Sequence, residues 1–461
     1  MNRIANRAMA LLVLVLILAG GFVFFLVEYF ARSEKWVMDY GSPHVYEEYE
    51  VNENGEEVKR VVRGVVVDRD GIMLVRIRDG RTYSNFELLR KSTIHWVGGR
   101  DSNISAPALT YHSDAMHGYD LFNGSYNYGQ NGGTVTMTLS AKMQVAALEA
   151  LGDYKGTIAV YNYKTGELLC AVTTPTYDPD NVPDFKNDPE GIYEGVYWNR
   201  FTQSAYIPGS IFKVVTLATA LETIPDITTR VFTCTGSYQI GSEEITCEEV
   251  HGTQTLKAAF CNSCNCAFAE VALEIGGQVL QEYVEKFGIT KEVVFDGIST
   301  EKGNFQAANA EDLNVAWSAI GQHLDLINPC AFLTFMGAIA NDGIVTTPHL
   351  VEQIKVEGNI TYDAAASEQN RIMSEKTATI IQEYLQNNVQ SKYGVEYFPG
   401  LTVGAKTGTG EVGGEQKPNA MLAGYVEDEN LPLAFVACVE DAGYGRAVCI
   451  PMISKVLAAA H

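Results

Sequence analysis

The segment Tyr206-Ile-Pro-Gly-Ser-Ile-Phe-Lys213 sets a hydroxyl at the start of an apolar helical pattern and an amine three residues later. Residues three apart share a helix face, so Ser210 and Lys213 stack within reach of each other. A serine is a weak nucleophile until a base takes its proton, and a lysine can be that base where burial or a second cation lowers its pKa. The helix amino terminus at Ser210 also favours the negative charge that develops on a carbonyl oxygen under attack. Two further elements follow in chain order, Ser263-Cys-Asn265 in a helical pattern and Lys406-Thr-Gly-Thr409 in a strand-like one. Together they offer a second hydroxyl, a carboxamide and a second amine, a set suited to acyl transfer through a covalent serine intermediate.

Ser-x-x-Lys alone says little, since it arises about once by chance in a chain this long. Ser299-Thr-Glu-Lys302 is another instance, but it lies in a polar stretch before Gly303 with no apolar helix to bury its lysine. Lys164-Thr-Gly166 precedes the nucleophile and occupies a hairpin turn. Gly408 to Gly413 matches G-x-G-x-x-G, yet Gly414 and Pro418 stand where a dinucleotide fingerprint requires a helix. The sequence contains no G-x-S-x-G elbow, no H-E-x-x-H and no P-loop.

The elements that must hold these groups begin at Thr134. An Ala-rich helix pattern over Ala141–Leu151 leads into strands at Thr157–Tyr163 and Leu168–Thr173, joined by the Lys-Thr-Gly turn. Helix patterns follow at Ser210–Leu221, Leu256–Ile275, Val279–Phe287, Ala310–Ile320 and Ala331–Ala340. Strands return at Thr402–Gly408, Ala420–Val426 and Leu433–Val439, and Ile453–Ala460 closes the chain as a helix. Helices between two sets of strands imply an α+β layout, an antiparallel sheet assembled from both ends of the domain with a helical insertion. Ahead of this unit, residues 28–132 hold strand-like runs (RVVRGVVVDRD, GIMLVRIRDG) and a Gly, Tyr, Asn and Ser rich stretch from Tyr111 to Gly133. The acidic run Tyr46–Glu57 reads as a solvated loop.

Ala8–Val27 carries no charge over 20 residues, enough for a helix of roughly 30 Å that crosses a bilayer core. Arg3 and Arg7 precede it and Glu28 follows, which places the amino terminus in the cytoplasm and the rest outside. A cleaved signal peptide is the alternative, but the run is long for one and a small-x-small site is ill defined. With 461 residues and 46% hydrophobic content the chain is a folded, multi-part protein, and a net charge of −23 excludes nucleic acid held by counterion release. Nine cysteines cannot all pair and are too few for a disulfide scaffold. Cys234 and Cys247 flank a short Gly and Ser containing stretch, and either a bridge or two free thiols fits that spacing. Cys261, Cys264 and Cys266 form C-x-x-C-x-C, but no second pair or histidine at zinc spacing follows, so they read as buried helix thiols and no metal or cofactor is expected.

Ser-x-x-Lys, Ser-x-Asn and Lys-Thr-Gly in this order resemble the signature of penicillin-binding proteins and the related serine β-lactamases. The resemblance covers nearly the whole chain and is to the monofunctional class B penicillin-binding proteins. Arg63-Gly-Val-Val-Val-Asp-Arg-Asp-Gly71 is similar to the box of that family's amino-terminal pedestal, Lys155–Pro179 to its first hairpin, and Asn199–Ser210 to its approach to the nucleophile. It implies a short tail (1–7), a transmembrane anchor (8–27), a pedestal domain (28–132) and a transpeptidase domain (133–461). The implied reaction is peptidoglycan D,D-transpeptidation: Ser210 attacks the carbonyl between two D-alanines of a stem peptide, D-alanine leaves, and the amine of a neighbouring stem resolves the acyl-enzyme. Lys213 is then the base, Ser263 the proton relay, and Asn265 a hydrogen-bond partner of the donor peptide or of Lys213. Lys406 would keep Lys213 neutral by repulsion. The Thr407 and Thr409 hydroxyls, with Gly408 between them, would take the terminal carboxylate, while the backbone N–H groups of Ser210 and Thr409 form the oxyanion hole.

The same resemblance implies acylation by β-lactams, no cofactor, and a separate glycan polymerase as partner, because residues 28–132 leave no room for a glycosyltransferase. Ile211 stands where threonine is common, a change expected on the helix surface. Gly321-Gln-His323 lacks a second glycine usual in the loop beside the site. A D,D-carboxypeptidase or β-lactamase of the same fold, and a penicillin-binding scaffold without catalysis, are the rival readings.

Overall fold

The computed structural model describes residues 2–32, 47–51, 57–78, 80–100, 103–117, 119–120, 125–126, 133–356, 358–414 and 416–460. Its centre is a five-stranded antiparallel sheet in the order Val403–Gly410, Asn419–Val426, Leu433–Val439, Gly156–Asn162, Leu168–Thr174. Successive residues of a strand face opposite sides, and here both sides are covered. Ile158, Val160, Leu422, Phe435 and Ala437 pack against the helices Ala141–Leu151 and Gly445–Ala458. Ala159, Tyr161, Ala423 and Val436 belong to a second core on the other side, shared with the helix Pro329–Ala340. That double burial is why the strands read as nearly continuous apolar runs.

A helical region separates the two halves of the sheet in sequence. It includes Lys213–Thr223, Leu256–Cys261, Asn265–Ile275, Gly277–Lys286 and Asp312–Ser318. The expected helix Leu256–Ile275 is two helices, because the chain breaks at Asn262–Cys264, where Ser263 has φ 54°. The closing helix begins at Gly445, earlier than Ile453, and carries Pro451 inside it. Proline usually ends a helix pattern, so the first turns were hidden from a reading by propensity.

A second sheet runs Asn359–Asp363, Val351–Val356, Gly133–Met137, Glu57–Val67, Met73–Arg78, Arg81–Tyr83. Gly133–Met137 pairs in parallel with Glu57–Val67 and antiparallel with Val351–Val356, so the expected boundary at 132–133 falls just before a strand that joins both units. A Cβ on Gly64 would lie 2.0 Å from the Gly133 carbonyl oxygen. Asp68 completes the junction: its Oδ1 accepts the N–H groups of Asp70 (2.9 Å) and Ile72 (2.7 Å), and its Oδ2 accepts that of Ala141 (2.9 Å), the first residue of the helix Ala141–Leu151. The acidic run read as a loop is corrected in part. Glu47–Val51 is a strand paired with Glu57–Val61, while Tyr46 and residues 52–56 lie outside the described residues. Much of Tyr111–Gly133 also lies outside them. The amino-terminal helix Asn2–Arg32 contains a span, Asn6–Val27 with mean hydropathy 3.1, that is long and apolar enough to cross a membrane.

Candidate active site

Pro208 and Gly209 turn the chain into a short 3-10 helix, Gly209–Phe212, which runs straight into the helix Lys213–Thr223. This puts Ser210 half-exposed at the surface and Lys213 fully buried one turn below it. Lys213 Nζ lies 2.8 Å from Ser210 Oγ, 3.1 Å from Ser263 Oγ, 3.0 Å from the Ser263 carbonyl and 2.7 Å from Asn265 Oδ1. Ser263 reaches this point because its left-handed backbone aims it out of the break between two helices, a strained conformation of the kind that clusters at functional sites. Asn265 opens the second helix, and its Nδ2 donates to the Thr246 carbonyl at 2.8 Å, which fixes its oxygen toward Lys213.

The edge strand Val403–Gly410 closes the site. Lys406 Nζ lies 3.1 Å from Ser263 Oγ, so that hydroxyl bridges the two amines. Four glycines let backbone meet backbone here. A Cβ on Gly209 (φ 54°) would sit 2.2 Å from the Thr409 carbonyl oxygen, one on Gly408 2.6 Å from that of Pro208, one on Gly410 2.1 Å from that of Ile207, and one on Gly321 2.1 Å from that of Gly209. The nucleophile turn therefore docks on the strand with residue 409 beside Ser210. Thr407 and Thr409 stay half-buried at the rim. The Thr407 backbone N–H donates to the Tyr393 hydroxyl at 3.1 Å, and its Oγ1 lies 3.1 Å from that hydroxyl. Gln322 Nε2 donates to the Thr409 carbonyl at 3.2 Å. No motif pointed to Tyr393, which only the fold brings to the strand; Gln322 belongs to the Gly321-Gln-His323 loop expected beside the site.

Burial governs the charges. Removal from water lowers the Lys213 pKa to about 8, because the charged amine loses its hydration. Lys406 is held well below its usual value by burial first and by the Lys213 charge second. The expectation that Lys406 repulsion keeps Lys213 neutral is thus revised: desolvation lowers Lys213, and the repulsion falls chiefly on Lys406.

Ser210, Lys213, Ser263, Asn265 and Lys406 all meet in one hydrogen-bonded group, with Thr407, Gly408 and Thr409 along its edge. The decoys do not join it. Lys164 binds Asn341 Oδ1 from a hairpin turn, and Ser299 and Lys302 both pair with Glu292. Ile211, expected on the helix surface, is fully buried, because the Lys406 strand covers that face of the turn. His323 takes φ 67°, the backbone conformation a glycine would supply; histidine is among the residues that enter that region more readily. All nine cysteines are free, so Cys234 and Cys247 are not bridged. Instead the sulfurs of Cys234, Cys247, Cys264 and Cys266 all lie within 4.8 Å of one another. The second pair missing after C-x-x-C-x-C stands before it, and Cys261 takes no part.

A buried amine against a half-exposed serine, with a second hydroxyl between two lysines, is an arrangement suited to serine acyl transfer. Comparison with known proteins agrees. Residues 156–458 match the penicillin binding protein transpeptidase domain, and the chain belongs to that family. It is similar to the peptidoglycan D,D-transpeptidase PbpA of Mycolicibacterium smegmatis, 28% identical over 363 residues that cover 71% of this chain and 72% of the relative. It is also similar to the stage V sporulation protein D of Bacillus subtilis, 25% identical over 72% of this chain and 54% of that one. Among solved structures, the D,D-transpeptidase domain of a peptidoglycan glycosyltransferase from Eggerthella lenta superposes with a TM-score of 0.74 at 27% identity, covering 86% of this chain and 97% of that one. A penicillin G acyl-enzyme complex of penicillin-binding protein A from M. tuberculosis shares the fold, with a TM-score of 0.72 at 23% identity over 87% of this chain and 99% of that one.

Proposed function

We propose that the chain is a peptidoglycan D,D-transpeptidase whose acyl-enzyme forms on Ser210. The observation that carries this reading is the 2.8 Å contact between Lys213 Nζ and Ser210 Oγ, with Lys213 itself buried. The neutral amine accepts the serine proton as Oγ attacks the carbonyl between two D-alanines, and the oxyanion develops beside the Ser210 and Thr409 backbone. The C–N bond breaks as the proton moves from Lys213 through Ser263 to the departing D-alanine amine. Lys406, 3.1 Å from Ser263 Oγ, orients that relay. An amine of a second stem peptide then attacks the ester, passes its proton back along the same path, and leaves a new amide and a free Ser210. One amide is broken and one is made, so no water or cofactor enters the balance. β-Lactams acylate the same serine.

The span Asn6–Val27 serves as a membrane anchor, with Arg3 and Arg7 holding its start in the cytoplasm and the catalytic unit outside. A separate glycan polymerase would supply the strands to be cross-linked. The test is to incubate the full-length chain in detergent with fluorescent penicillin, map the labelled peptide, and then assay D-alanine release from a pentapeptide stem with an amine acceptor. A stable label on Ser210 and acceptor-dependent D-alanine release are expected. Label on another residue, or release that proceeds with water alone, would overturn the assignment.

A further inference from the structure

Four sulfurs from two separate stretches converge beside the acyl-transfer groups. Cys234 ends the strand Val231–Cys234, Cys247 follows the strand Glu243–Thr246, and Cys264 and Cys266 flank Asn265 at the start of its helix. All four lie within 4.8 Å of one another, with Cys247 and Cys264 at 3.7 Å. Sulfurs held about 2.3 Å from a central Zn2+ in a tetrahedron stand about 3.8 Å apart, so the cluster has the size of a tetrathiolate centre. Cys234, Cys264 and Cys266 are buried and Cys247 is half-buried. Thiols that merely fill core space have no reason to meet four at a point, and Cys170, Cys330, Cys438 and Cys449 are each buried outside this cluster.

The surroundings suit thiolates. The Asn265 N–H donates to Cys247 Sγ at 3.0 Å and the Ala267 N–H to Cys264 Sγ at 3.5 Å, both from the first turn of an 11-residue helix whose dipole favours negative charge. Such outer donors usually accompany metal-bound ligands. His251, next to the Gly252 that pairs with Cys234, keeps its Nδ1 shielded from solvent, and its side chain and backbone both stand as hydrogen-bond partners of the Cys234 sulfur.

We propose that Cys234, Cys247, Cys264 and Cys266 form a closed structural site for one Zn2+. On loading, each thiol gives up its proton, so up to four protons leave and the centre carries a net charge of about −2. The metal ties the strands of residues 231–255 to the turn that holds Ser263 at φ 54°, and Asn265 stands between two of its ligands. Zn2+ is here a positioning element for Ser263 and Asn265 and takes no part in bond making.

The experiment uses the full-length chain purified in detergent under reducing conditions. Elemental mass spectrometry is expected to find about one zinc per chain, and exchange with Co2+ should produce sulfur-to-cobalt charge-transfer bands and the intense visible bands of a tetrahedral thiolate complex. Cys234→Ser and Cys266→Ser should lose both signals, whereas Cys261→Ser should keep them, because Cys261 stands outside the cluster. Chelation should slow Ser210 acylation by tenfold or more, with recovery on adding Zn2+. Absence of stoichiometric metal and of a cobalt spectrum in the wild-type chain after anaerobic addition would overturn the site. So would peptide maps of the chain as isolated that show a Cys247–Cys264 disulfide. Unchanged acylation by the metal-free chain would overturn the positioning role.

Discussion

Raising the pH from 7 to 9 should accelerate acylation of Ser210 about tenfold. Burial lowers Lys213 to about 8, and only the neutral amine can take the serine proton. About one tenth of the amine is neutral at pH 7 and about nine tenths at pH 9. The second-order rate constant for acylation should follow that fraction, rising through pH 8 and levelling above pH 9. The assay is stopped-flow fluorescence with a labelled penicillin between pH 6 and 10, with intrinsic hydrolysis of the reagent subtracted. Lys213→Arg supplies the control, since a guanidinium stays charged throughout this range. Its rate should be flat with pH and lower by about 100- to 10,000-fold, the usual worth of a positioned base. A flat wild-type profile, a midpoint near the ordinary lysine value, or an arginine variant that acylates at the normal rate would each refute the assignment of Lys213 as the base.

Other perturbations test the scaffold. Because the folded-state pKa of Lys213 lies below its unfolded value of 10.5, the fold is penalised as pH falls through that interval. Lys213→Met should accordingly gain stability relative to wild type between pH 10 and pH 7, by at most about 3 kcal/mol, read from urea unfolding at both pH values. Asn265→Ala removes the 2.7 Å partner of Lys213 and should slow acylation by about 10- to 1,000-fold, the scale of losing one polar group at a reacting centre; an unchanged rate counts against it. Asp68→Ala deletes three hydrogen bonds to a buried carboxylate and should cost about 2–4 kcal/mol, measured by thermal unfolding of the full chain. His323→Gly should leave acylation within about twofold, since the backbone already adopts the conformation glycine prefers.

The three motifs and the strand–helix–strand order were legible because they rest on local signals: hydroxyl and amine three residues apart, apolar periodicity, and a Lys-Thr-Gly strand. The strands Leu433–Val439 and the helix Ala141–Leu151 end where their patterns end. What could not be read depends on contacts across the chain. The break at Ser263 looks helical in sequence, since Leu256–Ile275 is apolar at helical spacing throughout, and only the meeting with Lys213 and Lys406 makes the break worthwhile. Tyr393 reaches Thr407 from a π-helical turn that carries no signature. The cysteine cluster escaped because its two halves stand in reversed order, and a search for a second pair downstream of C-x-x-C-x-C passes over the pair upstream. Ile211 was placed on the surface because a helix pattern alone does not tell which strand covers which face.

The backbone-to-backbone docking around Ser210 also bears on how this enzyme can evolve under antibiotic selection. At Gly209, Gly321, Gly408 and Gly410 any side chain would fall within 2.6 Å of a carbonyl oxygen, so these positions offer no volume for a substitution that discriminates drug from stem peptide. On the proposed mechanism the two buried lysines, Lys213 and Lys406, are equally closed to substitution. Variants that survive selection should therefore concentrate at the half-buried rim positions Gln322, Thr407 and Thr409. Selection there trades drug affinity against substrate affinity, and resistant alleles of this protein should arise as several small rim changes in combination.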